Sequence, residues 1–252
     1  NPAALSNLAL WLDASDLTSA ASTWNDASGN ANHASKNGSP SIASASNGLS
    51  VMRYSGTSGE YHSFPRMTDI RTVFWVLKKT GSNADMIMLG DSASGNTYHL
   101  HPNGANAMWN PSLGPVANVR GGTTKINGTT VNGTSTGIPT TFSVVSLKTS
   151  GNVIASNFAN DRNIVQSGVN RVFEGDLGEL LVFNTALSDS DISNDALLNF
   201  DGDYMRHCID FFQEKSINLE PEKLNDTLLL PFVYYLTIKL TIFIHLKIRH
   251  FQ

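Results

Sequence analysis

The chain of 252 residues has little charge and almost no cysteine. Only 15% of its residues are Asp, Glu, Lys or Arg, against about 25% in an ordinary soluble domain. A single cysteine, Cys208, excludes an internal disulfide framework and a zinc site built from several cysteines. The formal net charge of −4 offers no basic footprint, so we expect no binding to nucleic acid.

Ser, Thr, Asn and Gly take the place of the missing charge, and 40% hydrophobic residues are enough for a sizeable core. This composition favours an all-β domain that is secreted or displayed at a cell surface over a cytosolic enzyme. The chain starts at Asn1 without methionine or an apolar targeting stretch, which predicts a processed or excised segment.

Short apolar or alternating runs, separated by turn residues, fill the first 200 positions. The runs are Leu8–Leu12, Ser50–Tyr54, Thr72–Leu77, Met86–Leu89, Phe142–Leu147 and Leu177–Phe183. Asn-Gly and Ser-Gly dipeptides between them are hairpin signals, and two Asn-Gly pairs flank Thr129–Val131. The pattern predicts an antiparallel sandwich or barrel with a meander of very short strands around residues 125–133.

One helix is predicted near the end of this region. Ser188 and Asp191 have capping-box-like spacing, and Asp189 lies in the first turn, where a carboxylate complements the helix dipole. Ile192 then begins an apolar series at helical spacing. We therefore expect a short helix after the last strand, packed on the edge of the β domain.

The composition changes after about residue 200. All but one of the 20 glycines precede residue 201, and the tail holds a long apolar run, Leu228–Ile248. Pro231 near its start and Lys239 inside it disfavour a membrane-spanning helix. We expect two strands or an apolar arm buried against the domain or another chain, because such a run would aggregate if exposed. A tail that did not evolve jointly with the domain is the alternative.

Three segments resemble a known family. Leu8–Asp16 and Trp24–Ala34 are similar to the opening of LamG-like, concanavalin A-like jelly-roll domains. Gly175–Ser188 resembles the closing strand and helix start of the same family. Together these segments bracket about residues 4–200.

The resemblance implies an all-β fold, a two-sheet antiparallel jelly-roll sandwich with one short C-terminal helix. We place this domain at 1–204, and the atypical apolar extension, 205–252, departs from the family. The family hosts lectins, carbohydrate-binding modules, adhesive domains, viral appendage parts and some glycanases, so the fold alone does not select a function.

The segment that contains Asp26 and Asn30 has two interpretations. Both side chains can bond nearby backbone while Gly29 takes the positive φ of a tight turn, which makes the segment structural. In the alternative, Asp26, Asn30 and neighbouring carbonyls hold a structural calcium ion, which prefers oxygen ligands. The turn is the simpler interpretation.

A glucanase-like spacing, Glu-x-Asp-x-x-Glu, occurs at Glu174, Asp176 and Glu179. Retaining glycosidases use paired carboxylates about 5 Å apart as nucleophile and acid/base. Strand alternation puts Glu174 and Asp176 on one face, but Glu179 needs a bulge to join them. Because the segment matches the closing strand of the binding family better, we expect no catalysis here.

The best candidate binding surface is the segment from Tyr98 to Asn110, with Arg120 nearby. A sugar site needs an aromatic platform for C–H faces and amide, imidazole or guanidinium groups for hydroxyls. The candidate ligand-binding residues, on an expected strand–loop–strand, are Tyr98, His99, His101, Asn106, Trp109 and Arg120.

Two alternatives stay open for these residues, and a second candidate surface lies elsewhere in the chain. Tyr98 and Trp109 are core residues between the sheets in one of them. In another, His99 and His101 lie on one side of a strand as a metal pair, although no third ligand is evident. Tyr61 and His62 form a smaller second candidate surface.

We therefore expect a non-catalytic carbohydrate-binding or adhesive module of a secreted or surface protein, with a glycan as partner. The alternative is a structural component of a surface filament, layer or viral particle, in which Leu228–Ile248 self-associates or packs on a partner chain. A glycan hydrolase is the third hypothesis.

Overall fold

The computed structural model describes residues 7–15, 17–45, 48–82, 85–95, 98–162 and 171–192. Regular structure in these ranges is mostly antiparallel β-sheet, as predicted, with one short helix, α1 (Ala117–Arg120), after a 3-10 turn. The strands are β1 (Leu8–Asp13), β2 (Thr23–Trp24), β3 (Ala34–Asn37), β4 (Ser41–Ser44), β5 (Ser50–Ser55), β6 (Tyr61–Lys79), β7 (Leu89–Gly90), β8 (Thr123–Ile126), β9 (Thr129–Val131), β10 (Ser143–Phe158) and β11 (Glu174–Phe183).

The apolar extension, 205–252, lies outside the described residues. Its predicted strands and its role in assembly therefore stay predictions, as does the domain boundary at 204. No helix in the described ranges has the length and hydrophobicity that a membrane crossing requires.

The predicted apolar runs coincide with β1, β5 and β11 and with parts of the much longer β6 and β10. The run Met86–Leu89 is the exception, because only Leu89 belongs to a strand. Met86 and its neighbours are buried without forming a ladder, so hydrophobicity there reports burial and not strand structure.

The two long strands, β6 and β10, organise the sheet. Its order is β4-β5-β11-β6-β10-β8-β9, and β1 pairs with β11. The second half of β6 pairs with β11 and with the first half of β10, whereas its first half pairs with β3 and with the end of β10. Strand β2 extends the sheet from β3, and β7 pairs with the end of β10. Each long strand therefore belongs to two groups of strands.

The register between β6 and β10 is interrupted where the two groups meet. It shifts between Lys148 and Val153, and again on each side of Ala155. A bulge leaves extra residues unpaired, bends the strand and increases its twist. These irregularities let one pair of strands serve both groups.

One large apolar cluster is filled from both groups of strands. Trp24, Phe64 and Phe158 enter it from one group, and Trp75 and Leu180 enter it from the other. All five side chains are buried. Truncation of a buried aromatic residue of this size costs about 3–5 kcal/mol.

A second apolar cluster lies on the opposite face of β6 and β11. Trp11, Phe74 and Phe183 form its centre, and Leu187 and Ile192 cover it from the chain that follows β11. Trp11 is therefore buried in this smaller cluster and not in the main one. Sheet residues on both faces are apolar here because both faces are covered.

The predicted capping box is present at the start of the last helical turn. The Ser188 hydroxyl accepts a hydrogen bond from the Asp191 amide at 3.1 Å, and the Asp191 carboxylate accepts one from the Ser188 amide at 3.2 Å. This exchange satisfies two amides that a helix start leaves without partners. The rest of the predicted helix falls after Ile192, outside the described residues.

Only the first turn of the predicted meander is present, as the hairpin of β8 and β9, because residues 132–142 contain no further strand. Asn127 and Gly128 connect the strands with φ of 48° and 80°. Two consecutive positive φ values define the type I′ turn, which matches the twist of a two-residue hairpin and explains the Asn-Gly pair.

A histidine lies in the main core. His62 is fully buried, its Nδ1 lies 2.7 Å from the Tyr54 hydroxyl, and its Nε2 has no partner among the described residues. Burial, and secondarily the charge of Lys36, lowers the pKa of His62 to about 4. The ring is therefore neutral in the folded protein at pH 7. Because the imidazole is buried in the core, it is not exposed for binding at the predicted second surface of Tyr61 and His62.

This histidine predicts a loss of stability in acid. In the unfolded chain His62 has its ordinary pKa of about 6.5, so that state binds the extra proton as the pH falls towards 4. The free energy of unfolding should therefore decrease between pH 7 and pH 4.5, by roughly 2–3 kcal/mol from this residue. Urea unfolding of wild type and His62→Gln at both pH values measures it, and equal pH dependence of the two proteins would contradict the assignment.

Candidate functional site

The predicted binding residues lie between β7 and β8, within the described residues 98–122, where the 3-10 turn and α1 are the only helical elements. Residues 98–110 contain no strand apart from an isolated bridge between Asn103 and Ala105, so the predicted strand–loop–strand is wrong. The loop is instead tied down by backbone hydrogen bonds from Met108 to Thr136 and from Asn110 to His101. It is an ordered loop held by its neighbours.

Trp109 is a core residue and not a sugar platform. Its side chain is 1% exposed, its indole donates to the Thr124 hydroxyl at 2.8 Å, and its ring packs 6.3 Å from that of Trp75. A Cβ atom on Gly133 would lie 2.2 Å from the indole, so the loops pack closely here. The binding role predicted for Trp109 is therefore corrected in favour of the core alternative.

Arg120, at the end of α1, holds the loop in place. One Nη atom donates to the carbonyl of Leu113 at 2.6 Å and to that of Asn110 at 3.2 Å. Two carbonyls on one guanidinium nitrogen close the turn between these residues. The predicted ligand contact is replaced by this structural role.

The two histidines of the loop each bond a carbonyl oxygen through Nδ1, at 2.7 Å in both cases. The acceptors are Pro115 for His99 and Pro102 for His101. Since a carbonyl oxygen only accepts, each Nδ1 carries the proton. His99 lies in a turn, so the pair on one side of a strand is wrong, and the described residues contain no group of three or more His, Cys, Asp or Glu able to hold a metal ion.

Tyr98 is half-buried and is the centre of an aromatic and cationic cluster. Its ring lies 6.0 Å from the His101 ring, edge to face. The Arg162 guanidinium lies 4.1 Å from the ring centroid, at cation–π distance. Arg162 also contacts Asp161 at 3.3 Å, and Asp161 accepts from Arg171 at 3.2 Å.

The structure thus adds Arg162 and Arg171 to the candidate site, and neither was among the ligand-binding residues predicted from the sequence. Both lie between β10 and β11. The pairing of Asn157 with Gly90 places the end of β10 beside the end of β7, so the segments that follow these two strands start side by side. No short sequence pattern predicts that pairing.

A small surface depression lies along the same loop. It is lined by Lys79, Met86, Pro102, Gly104, Ala105, Ala107 and Ile138. Asn106 lies between two lining residues and is exposed, as a ligand contact requires. The Asp85 carboxylate accepts from the Gly104 amide at 2.8 Å and holds this part of the loop in place.

The Asp26 carboxylate is already saturated by hydrogen-bond donors. One oxygen accepts from the amides of Trp11 and Ser28, and the other from the Ser28 hydroxyl and the Asn32 amide, all at 2.8–2.9 Å. Asn30 donates to the Leu8 carbonyl at 2.7 Å. A calcium ion at Asp26 and Asn30 would displace these bonds, so the geometry favours the structural turn.

The three carboxylates of the glucanase-like motif have structural partners. A register shift between Leu177 and Glu179 supplies the bulge that the motif requires, and it brings Asp176 and Glu179 beside Lys78 and Val76 of β6. The Glu179 side chain is buried and accepts from the Trp11 indole at 2.7 Å. Glu174 accepts from a backbone amide in the loop after β6.

Asp176 is fully buried between two cations. Arg53 donates to it through two nitrogens at 2.6 and 2.8 Å, and Lys78 lies at 3.2 Å. Burial opposes its ionisation, but the hydrogen bonds from Arg53 and Lys78 outweigh that effect and hold the pKa of Asp176 below its ordinary value. A carboxylate kept ionised in this way does not donate a proton to a leaving group near neutral pH.

Because Trp109 is a core residue, its mutation should lower the free energy of unfolding. Trp109→Ala should lower the free energy of unfolding by about 3–5 kcal/mol, because it removes a buried ring and leaves Thr124 without its donor. Asn106→Ala, on the same loop but exposed, should change it by less than about 0.5 kcal/mol. Denaturant unfolding of both variants checks this, and equal effects would contradict the placement of the indole.

The saturation of Asp26 predicts that its structural role does not need calcium. Asp26→Asn places an amide NH₂ against existing donors and should cost about 1–3 kcal/mol. That loss should be the same with calcium as with EDTA. Thermal unfolding in both buffers measures it, and calcium stabilisation of wild type that is absent in the variant would instead establish the metal site.

Comparison with protein-family models, curated proteins and solved structures finds no match to this chain. The account of the fold and of the loop site therefore depends on the chain's own geometry. The similarity to LamG-like domains stays a prediction, based on the sequence segments that carry it.

Proposed function

We propose that the described part of the chain forms a two-sheet jelly-roll sandwich of the concanavalin A-like kind. The support is that β6 and β10 each join two groups of strands and that both groups fill one apolar cluster. In a sandwich, the inward-facing residues of two sheets form such a shared core. A sandwich of this kind requires the long strands to bend, and bulges such as those at the register shifts of β6 and β10 bend a strand.

We propose further that this domain is a non-catalytic carbohydrate-binding or adhesive module of a secreted or cell-surface protein. The observation that carries the proposal is the way the loop 98–122 is built. Leu100, Met108 and Trp109 anchor it in the core, while Asn103 and Asn106 are exposed between these anchors. Binding residues are concentrated on loops that a rigid scaffold positions.

The chemistry of the exposed part suits a saccharide. Amide side chains both donate and accept, as sugar hydroxyls require, and Asn103 and Asn106 provide them. Tyr98 offers an aromatic edge beside a guanidinium, which together present an apolar surface next to hydrogen-bond donors. Because the anchors hold the loop before a ligand arrives, little conformational entropy is lost on binding.

The contacts of the carboxylates in the glucanase-like motif favour a binding module over a hydrolase. Hydrolysis with retention needs one carboxylate free to attack and another free to exchange a proton. Asp176 is held by two cations and Glu179 by an indole. Both groups therefore stabilise the sheet, and a binding function does not need them.

The test is affinity electrophoresis of the full chain in gels that contain a panel of neutral and acidic polysaccharides. Tyr98→Ala and Asn106→Ala should each weaken binding about tenfold, the effect of one lost contact of about 1.4 kcal/mol. Tyr61→Ala is the matched control, since Tyr61 is a half-buried tyrosine in the second candidate surface. Retention of the Tyr61 variant should equal that of wild type.

Two results would contradict this function. The first is the absence of retention by every polysaccharide. The second is loss of binding in Tyr61→Ala while Tyr98→Ala binds normally, which would move the site to the start of β6.

A further inference from the structure

Two arginines share one carboxylate beside Tyr98. Arg162 and Arg171 both contact the same oxygen of Asp161, at 3.3 and 3.2 Å. Their side chains are 12% and 20% exposed, and that of Asp161 is 8% exposed. We call Arg162, Arg171 and Asp161 the guanidinium pair site.

The guanidinium pair site has one positive charge in excess. In the described residues no second carboxylate contacts either arginine, and the segment 163–170 between them contains no Asp or Glu. An unbalanced charge that is largely removed from water is costly unless a counter-charge reaches it. A monoanion bound here would restore the balance.

Asp176 is a useful comparison, because it also contacts two cations but differs in how far they are exposed to water. It too has two cations, but Arg53 and Lys78 are 46% and 27% exposed, so water solvates their excess charge. The arginines at Asp161 are less exposed than either. A ligand is therefore a more effective partner than solvent at the guanidinium pair site.

The geometry leaves donors in place for such an anion. Asp161 takes Nε of Arg162 and one Nη of Arg171, which leaves the Nη atoms of Arg162 and the second Nη of Arg171 without a described acceptor. The Tyr98 ring holds the plane of Arg162 at 4.1 Å. A fixed guanidinium edge matches the paired oxygens of a carboxylate or a sulfate ester.

We infer that the guanidinium pair site is the anion subsite of the sugar-binding surface and that the domain takes an acidic saccharide. This inference depends on the proposed carbohydrate-binding function. The group bound is a carboxylate or a sulfate ester on the sugar. Tyr98 and the neighbouring loop contact the sugar ring, and the arginines contact its charge.

The experiment uses two pairs of probes that differ only in charge. Polygalacturonate is compared with its methyl ester, and dextran sulfate with dextran, by affinity electrophoresis of the full chain. At least one acidic probe should be bound tenfold or more tightly than its neutral counterpart. Which acidic probe shows the larger ratio identifies the anionic group.

The variants test whether this preference comes from the arginines. Arg162→Gln and Arg171→Gln should each reduce the acidic-to-neutral ratio at least fivefold, while binding to the neutral probe persists. Arg162→Lys keeps the positive charge but loses the paired N–H donors of the guanidinium. Its acidic-to-neutral binding ratio should therefore lie between those of wild type and Arg162→Gln. Arg53→Gln is the charge-matched control outside the loops, and thermal unfolding verifies that each variant is folded.

The outcomes separate the two proposals. Equal binding of acidic and neutral probes, or a charge preference that Arg162→Gln and Arg171→Gln leave intact, overturns the anion subsite while the binding function stands. Retention by no probe and by no other polysaccharide overturns both. A ratio lowered equally by Arg53→Gln also overturns the subsite, because net charge alone would then explain it.

Discussion

The pairing of β6 with β10 is the constraint on which the rest of the structure depends. These strands are the only long ones in the described ranges apart from β11, and their shared ladder connects both groups of strands. Its register shifts at three points, and its far end pairs with β7. Because Asn157 pairs with Gly90, the loop after β7 and the loop after β10 start side by side. The contact between Tyr98 and Arg162 is thus a consequence of strand pairing, although 63 residues lie between them.

Features with a local physical cause could be predicted from the sequence. The Asn127-Gly128 turn needs two positive φ values, and the Ser188 cap needs an acidic residue three positions later, so a short window contains each signal. Strand β11 was recognisable because Leu177 and the four residues Leu180–Phe183 are apolar. The bulge before Glu179 was not predicted, because the period of two along a strand shows only that Glu179 would need one to join Asp176.

The sequence predicts a position for the candidate site, and the structure changes which residues are available to it. The loop was identified because it combines aromatic, amide and imidazole groups, yet such groups are equally able to serve the fold. Trp109 is in the core because Thr124 of a neighbouring strand accepts its indole, and Arg120 is structural because two carbonyls converge on it. Arg162 was missed for the converse reason, since its importance comes from a partner distant in sequence. Residue type indicates chemistry, whereas burial and partners decide how it is used.

The anchoring of the loop has a consequence for how this protein can change over evolutionary time. Leu100 and Trp109 are fixed in the core, and Gly133 is constrained by the indole against it, so these positions tolerate little substitution. The exposed residues between the anchors are less constrained. Gly104 has a positive φ, which disfavours any other residue although its Cβ direction is open, whereas Asn103 and Asn106 are exposed. Selection can therefore change Asn103 and Asn106, which project from a fixed loop, with little effect on folding.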